Sequence, residues 1–257
     1  MQDYDSVNRE LWNRRTRLHI GSAFYQEDDF RKGKTTLNAI ELEGLGEVAN
    51  KKLLHLQCHY GLDSLSWVRE GAVVTGVDYS EEAIAYAIKL SESLGLPATF
   101  ICSNVYDLPK VLEGSFDIVF TSYGVLHWLS SLDKWARIIR DFLAPNGVFF
   151  MVEFHPLELL FDATGDISHD FHYSSSGKPL PRIVTGTYAN PTATLQQSAW
   201  NWRYSLGEVV TALATVGLRI ESLVEYPFTY YWGKHREADT RPASLPRLFS
   251  VIARNPR

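Results

Sequence analysis

The chain has 257 residues, of which 45% are hydrophobic and 21% charged, a composition typical of a soluble globular protein with a single hydrophobic core. Its formal net charge is -5 and its Lys and Arg residues are not clustered, which disfavours a nucleic acid as partner. No apolar run approaches the roughly 20 residues that span a bilayer, and the N-terminal residues are too polar for a signal peptide. We therefore expect one cytoplasmic domain, a monomer or homodimer, without a membrane partner.

The chain contains two cysteines, Cys58 and Cys102. They lack the CxxC spacing of redox and zinc motifs and cannot form a disulfide framework. We expect both thiols to be small buried side chains and predict no metal site.

In the middle of the chain, short apolar β-branched runs alternate with helical segments, a pattern typical of parallel strands joined by crossover helices. Ser80 is the expected N-cap of the second of these helices. The predicted strands span residues 52–58, 72–78, 98–103, 116–122 and 147–153, and the predicted helices 62–70, 80–94 and 132–143. This order predicts an α/β fold with a Rossmann-like, doubly wound sheet.

The pattern changes on both sides of this core. Residues 154–202 predict loops and short strands, an insertion after the fifth strand. A helix at 205–216, with a capping box of Ser205 and Glu208, precedes strands at 218–228 and 248–253, which complete a seven-stranded, mostly parallel sheet. Helices at 7–19 and 35–48 would pack on a sheet edge or cover a ligand. The expected division is a lid (1–50), a cofactor core (51–153), a substrate insertion (154–204) and a C-terminal part (205–257).

The predicted binding site lies where the parallel strands end. The first strand runs through a tight turn into a helix N-terminus, which offers backbone N–H groups to an anion. Asp78 ends the second strand, about 20 residues after this turn. This is the spacing of a carboxylate that binds ribose hydroxyls. These features indicate an adenosine-bearing ligand. In the turn only Gly61 is a glycine, so the GxGxxG turn of dinucleotide-binding proteins is absent and a nicotinamide-dependent oxidoreductase is disfavoured.

Several segments together resemble the class I S-adenosylmethionine (SAM)-dependent methyltransferases, in a subtype common among bacterial small-molecule enzymes. The segments are LLHLQCHYGLDSLSWVREGAVVTGVDYSEEAIAYA, FDIVFTSYGVLHWLSSLDKW and LAPNGVFFMVEFHP. His55 stands where the family usually has Asp or Glu, and Gln57 and His59 replace two glycines of its Gly-x-Gly-x-Gly turn. Both histidines have an alternative role in packing or in hydrogen bonding behind the site.

The resemblance implies that SAM is the cofactor and S-adenosylhomocysteine the product. In this family Asp78 would bind the ribose, Tyr79 would pack on the adenine, and Asn104 would accept the adenine amine unless it is only a turn residue. The full set of expected cofactor-binding residues is Gln57, Cys58, His59, Gly61, Asp78, Tyr79, Asn104, Val105, Thr121, Ser122 and Tyr123.

The expected reaction is methyl transfer to the oxygen or nitrogen of a small molecule, which depends mainly on positioning and needs a general base only for some acceptors. Candidate catalytic residues are His127, Glu153 and His155, with a purely structural role as the alternative for His127. A TSYG tetrapeptide stands where enzymes that methylate base amines of nucleic acids carry Asn/Asp-Pro-Pro-aromatic. The alternative function is a non-catalytic domain that binds SAM or its product.

Aromatic residues in and after the insertion would form either core or an enclosed acceptor pocket. They are Phe171, His172, Tyr173, Trp200, Trp202, Tyr226, Phe228, Tyr230, Tyr231 and Trp232, accompanied by Arg203.

Overall fold

The computed structural model describes residues 4–161, 171–230 and 244–256. Nine strands within them form one large sheet and one two-stranded ribbon. In chain order the strands are β1 (Lys52–Leu56), β2 (Val73–Asp78), β3 (Thr99–Cys102), β4 (Phe116–Ser122), β5 (Leu143–Phe154), β6 (Leu180–Thr185), β7 (Gln196–Asn201), β8 (Arg219–Tyr226) and β9 (Leu248–Arg254).

The large sheet has the strand order β3-β2-β1-β4-β5-β9-β8. Strands β1 to β5 are parallel, whereas β9 pairs antiparallel with β5 and β8 antiparallel with β9. The predicted seven-stranded, mostly parallel, doubly wound sheet is thereby confirmed. The strand order reverses between β1 and β4, the position where open α/β sheets bind their ligands.

Seven α-helices within the described residues connect and cover these strands. Ser80 accepts a hydrogen bond from the backbone N–H of Ala83 as the predicted N-cap of α5, and Ser205 and Glu208 form the predicted capping box of α7. The helices are α1 (Tyr4–His19), α2 (Glu27–Arg31), α3 (Ala39–Leu45), α4 (Leu62–Arg69), α5 (Glu81–Leu94), α6 (Leu132–Phe142) and α7 (Leu206–Thr215), with 3₁₀ segments at Val105–Lys110, Leu126–Trp128 and Pro156–Leu160.

The sheet is buried on both faces. On one face α6 and α7 cover a core around Trp135 and Phe149, and on the other α3 and α4 cover a core around Trp67, Phe120 and Phe150. These five aromatic side chains are at most 1% exposed. Within the described ranges, no helix has the length and apolarity needed to cross a membrane.

The structure corrects several boundaries. The helix expected at 35–48 is confined to α3, because Gly46 ends it with a positive φ of 60°. The acidic segment that forms α2 was not predicted. The fifth strand begins at Leu143 rather than at 147, and pairs with β4 across an irregular register. The insertion contains the expected short strands, β6 and β7, which pair antiparallel.

The expectation that both cysteines are buried is wrong for one of them. Cys58 is buried but Cys102 is exposed, because it ends β3, the edge strand of the sheet.

Gly44 supports the contact between α3 and the sheet. A Cβ atom at this position would overlap the ring of Phe150. We expect Gly44→Ala to destabilise the protein by about 1–3 kcal/mol through overpacking, although alanine normally favours a helix over glycine. Thermal or urea unfolding measures the change.

Gly207 in α7 is the matched control, since a Cβ there meets nothing closer than Ser205 Oγ at 4.0 Å. Gly207→Ala should be neutral or stabilise by up to about 1 kcal/mol. Equal effects of the two substitutions would contradict the proposed packing of α3.

Candidate functional site

The turn between β1 and α4 adopts an unusual backbone. Gln57, His59 and Gly61 have φ values of 57°, 52° and 82°. These alternating positions are the ones at which the resembled family carries its three glycines. The left-handed conformation costs a residue with a side chain about 1–2 kcal/mol, so surrounding contacts must hold Gln57 and His59 in place.

Asp78 provides one of these contacts at the end of β2. Its Oδ2 accepts a hydrogen bond from the backbone N–H of His59 at 2.9 Å, and its Oδ1 accepts one from Ser80 N–H at 2.9 Å. The carboxylate thus joins the first turn to the start of α5. Burial raises the pKa of Asp78 to about 6, against the effect of these hydrogen bonds.

At the end of β3, Asn104 accepts a hydrogen bond from Tyr106 N–H at 3.1 Å and thereby caps the 3₁₀ segment that Val105 begins. Its Nδ2 donates to Asp5 of α1 at 3.0 Å. Asn104 therefore stabilises a turn, the alternative to binding the adenine amine. An adenine amine would share its oxygen with the Tyr106 N–H.

The end of β4 lies beside the first turn. Thr121 Oγ1 donates to the carbonyl of Leu56 at 3.2 Å, and Ser122 Oγ donates to Asp63 at 3.2 Å. Gln57 Nε2 lies 3.4 Å from the carbonyl of Val125, whereas its Oε1 is buried without a partner. Tyr123 follows with a positive φ of 35°.

Helix α1 lies over this turn. The Trp12 ring is 5.4 Å from the rings of both His59 and Trp128. Asn13 Oδ1 accepts a hydrogen bond from Ser80 Oγ at 2.7 Å, and its Nδ2 donates to Glu81 at 2.7 Å. The N-terminal helix is therefore part of the wall of the cleft.

Several buried polar atoms around this cleft have no hydrogen-bond partner among the described residues. They are Arg15 Nε, both ring nitrogens of His19, Gln57 Oε1, Tyr79 OH and Trp128 Nε1. Buried polar groups are normally satisfied, so this set fits a polar ligand held between α1 and the strand ends. Together with the rings of Trp12 and Trp128, it suits ligands that have both polar and aromatic surfaces.

Glu153 has a different role from the one expected. Its buried carboxylate accepts hydrogen bonds from the backbone N–H groups of Gly124, Val125 at 2.8 Å, Leu126 at 3.1 Å and Phe154 at 2.6 Å. Burial raises the pKa of this carboxyl against these four bonds. Because its lone pairs are occupied by backbone donors, Glu153 fixes the loop after β4 and is poorly placed to act as a base.

His155 is also committed to local structure. Its Nδ1 accepts the N–H of Leu157 at 3.2 Å, and its Nε2 lies 2.8 Å from Glu225 Oε1 in β8. Burial lowers its pKa despite the nearby carboxylate. His155 thus joins the end of β5 to β8, a structural role that disfavours the predicted catalytic one.

His127 remains a candidate site residue. It lies in the 3₁₀ segment after β4, where its carbonyl accepts hydrogen bonds from Trp202 N–H at 2.9 Å and Asn201 Nδ2 at 3.3 Å. Burial, followed by the charges of Arg203 and other arginines, lowers its pKa well below the ordinary value. The imidazole is therefore neutral at physiological pH.

His55 has the alternative role identified from the sequence. It is 2% exposed, and its Nδ1 lies 2.8 Å from Ser64 Oγ. Burial lowers its pKa to about 3. A neutral, hydrogen-bonded histidine here replaces the usual acid without placing a charge beneath the turn.

The aromatic residues of the insertion divide between core and surface. Trp202 is 2% exposed and belongs to the core beside α7, while Tyr173, Phe228 and Tyr230 are 38%, 44% and 39% exposed. Tyr231 and Trp232 lie outside the described residues.

The sequence reasoning missed the aromatic contact that joins the insertion to the N-terminal segment. Tyr188 OH lies 2.6 Å from Tyr25 OH, and the Tyr188 ring is 4.7 Å from His19. Tyr188 lies between two predicted turns and has no periodic neighbour, so no pattern in the sequence distinguished it.

A second polar cluster, also missed, lies behind Tyr123. Glu41 of α3 is fully buried, and its pKa is raised to about 7 by burial and by the charge of Asp63. Asn38 Nδ2 lies 3.3 Å from Glu41 Oε1 and 3.2 Å from Tyr123 OH.

Comparison with known proteins agrees with this geometry. Residues 54–151 match the family described as a methyltransferase domain. A ubiquinone biosynthesis O-methyltransferase of Chromobacterium violaceum is 28% identical over 135 residues, which cover 51% of this chain and 58% of that protein. The match therefore spans little more than half of the relative.

Solved structures show the same fold. A SAM-dependent methyltransferase from Mesorhizobium loti aligns with a TM-score of 0.60 and 21% identity, over 87% of this chain and 99% of that chain. One from Clostridium acetobutylicum aligns with a TM-score of 0.59 and 13% identity, over 92% and 94%. The predicted class is confirmed: the chain contains a class I SAM-dependent methyltransferase domain, and SAM is the cofactor of that class.

The role assigned to Glu153 predicts a large effect of a small substitution. In Glu153→Gln the amide NH₂ would face backbone N–H donors and the charge would be lost, so we expect a destabilisation of about 2–4 kcal/mol. Denaturant unfolding measures this effect. Glu113→Gln makes the same change at an exposed position and is the control, expected to change stability much less. A Glu153→Gln variant as stable as the parent would contradict the structural role.

The raised pKa of Glu41 predicts a pH-dependent stability. The folded state binds this proton up to about pH 7 and the unfolded state only to about pH 4.5, so stability falls as pH rises through this window. Glu41→Gln should remove this part of the slope and stabilise the protein by about 1–3 kcal/mol at pH 8. Melting at pH 5 and pH 8 tests this, with the exposed Glu43 of the same helix substituted to Gln as control. An equal change for both variants at pH 8 would count against the buried acid.

Proposed function

We propose that this protein is an enzyme that transfers a methyl group from SAM to an oxygen of a small molecule. The observation that supports it most directly is the first turn, which has three left-handed residues and is bound to Asp78 through the N–H of His59 at the point where the strand order reverses. Ligands of doubly wound sheets bind at this position.

The residues that would hold the cofactor surround this point. Asp78 has lone pairs left for the ribose hydroxyls, Tyr79 presents an aromatic ring and a free hydroxyl, and Gln57 Oε1 is an unused acceptor suited to the ammonium group. The cofactor supplies a methyl group that is already activated by the sulfonium. The chain then has to exclude water and align the acceptor with the methyl carbon, which accounts for much of the rate in such reactions.

One consideration favours an oxygen acceptor, and a second concerns how acidic that acceptor is. The curated relative from Chromobacterium violaceum is named an O-methyltransferase. In addition, Glu153 and His155 are engaged in structural contacts, and the lowered pKa of His127 makes it a weak base. An acidic hydroxyl or carboxyl group, which ionises without help, suits such a site better than an alcohol.

We assign the covering of the acceptor to the N-terminal segment (1–50) and the insertion (154–204). The hydroxyl contact between Tyr25 and Tyr188 brings these two segments together above the strand ends. Loops positioned by a rigid sheet commonly determine specificity.

The cofactor site predicts a strong dependence on Asp78. We expect Asp78→Asn to weaken the binding of SAM and S-adenosylhomocysteine by about tenfold or more, since an ionised acceptor of ribose hydroxyls is lost. In the parent, affinity should fall as pH drops below about 6, the pKa of this carboxyl. Titration calorimetry between pH 5 and 8 measures both effects.

The exposed Asp133 of α6 provides the control, and Asp133→Asn should bind as the parent does. SAM should also raise the melting temperature of the parent, whereas NAD should not. Unchanged SAM affinity in a folded Asp78→Asn variant would place the cofactor elsewhere.

Release of S-adenosylhomocysteine across a library of phenols, carboxylic acids and amines tests the transfer itself. Turnover with hydroxyl or carboxyl acceptors supports the proposal. SAM binding without turnover of any acceptor would favour the non-catalytic alternative, and turnover of amines alone would overturn the choice of oxygen.

A further inference from the structure

Arg15 is a buried cation with no counterion among the residues that the structure describes. Its side chain lies in α1, is 8% exposed, and its Nε has no hydrogen-bond partner within the described residues. The guanidinium carbon lies 5.1 Å from the centre of the Trp12 ring and 5.4 Å from that of Trp128. Its pKa is lowered, chiefly by burial.

Two further arginines belong to the insertion. Arg203 is partly buried and follows Trp202, whose N–H donates to the carbonyl of His127, the neighbour of Trp128, whereas Arg182 is an exposed residue of β6. Burial and the charge of Arg182 lower the pKa of Arg203 to about 10. Burial, and after it the charges of Arg203, Arg182 and Arg15, lowers the pKa of His127. Within the described ranges, none of the three arginines forms an ion pair with a carboxylate.

Hydrogen bonds fix α1 against the insertion, so these charges are held together by the fold. Asn8 Nδ2 donates to the carbonyl of Trp200 at 2.8 Å, and Asn8 Oδ1 accepts a hydrogen bond from the N–H of Trp200 at 2.9 Å. Arg14, the neighbour of Arg15, donates to Gln197 at 2.8 Å. Like charges held close without counterions are unfavourable, and burial increases the cost.

The cofactor alone does not balance this charge. SAM brings one carboxylate but also an ammonium and a sulfonium, so its net charge is positive. With SAM bound, the described residues would still place no paired carboxylate on Arg15, Arg182 or Arg203.

We infer that Arg15, Arg203 and Arg182 bind an oxyanion carried by the methyl acceptor, which is therefore an aromatic or similarly flat molecule with a carboxylate or phosphate group. This inference rests on the proposed function. Guanidinium groups bind such anions with paired hydrogen bonds. The rings of Trp12, Trp128 and Tyr188 around the same space suit a flat body next to the anion.

The methionine carboxylate of the cofactor is the other possible source of an oxyanion, and the experiment separates the two. Calorimetry with the protein saturated in S-adenosylhomocysteine uses benzoate and phenyl phosphate as anionic probes and benzamide as the neutral probe. The parent should bind at least one anion about tenfold more tightly than benzamide. Arg15→Gln and Arg203→Gln should each remove most of this preference.

Arg17→Gln is the matched control, because Arg17 lies on the same helix and its exposed side chain pairs with Glu82 at the surface. It should bind every probe as the parent does.

S-adenosylhomocysteine and 5′-methylthioadenosine, which lacks the amino-acid tail, are titrated into each variant. We expect the ratio of their affinities to stay as in the parent.

Benzamide binding as tight as that of both anions, or a preference for anions that survives in Arg203→Gln, overturns the inference. It is also overturned if Arg15→Gln weakens S-adenosylhomocysteine but not 5′-methylthioadenosine, since Arg15 would then hold the cofactor tail. If Arg15→Gln fails to melt cooperatively, Arg203→Gln decides. Failure of the parent to bind S-adenosylhomocysteine counts against the proposed function, whereas the probes, titrated without it, still test the oxyanion site.

Discussion

The first turn after β1 is the constraint on which the site depends. Gln57 and His59 hold backbone conformations that glycine adopts without cost, and the hydrogen bond from His59 N–H to Asp78 helps to keep them there. The strained turn gains side chains that glycines would lack. His59 contacts Trp12 of α1, and Gln57 reaches the loop after β4. The turn thereby organises the walls of the cleft as well as its floor.

Glu153 serves the neighbouring loop in a comparable way. Its buried carboxylate accepts hydrogen bonds from the backbone N–H groups that follow β4. This single side chain therefore fixes the backbone next to His127. This acidic residue at the end of β5 is therefore engaged in a structural role. A methyltransferase can accept this arrangement, since alignment contributes more to its reaction than proton transfer does.

The sequence predicted the sheet, its helices and the caps of α5 and α7, because these features depend on periodicity and on local side-chain chemistry. It also led to Asp78 and the first turn. It did not predict Arg15, Glu41 or Tyr188 as site residues, since each depends on contacts between segments far apart in the chain. The structural contacts of Glu153 and His155 were not predicted for the same reason: position at a strand end shows where a carboxylate or imidazole lies, but not which donors and acceptors it binds.

The contact between Tyr25 and Tyr188 joins residues separated by 163 positions in the chain. The cover of the cleft is therefore completed only when the N-terminal segment and the insertion have both docked on the sheet. In the proposed complex both segments would cover the bound ligands, so exchange of either ligand would require the same hydroxyl contact to open. The rate at which this contact opens would then limit how fast the cleft is emptied and refilled.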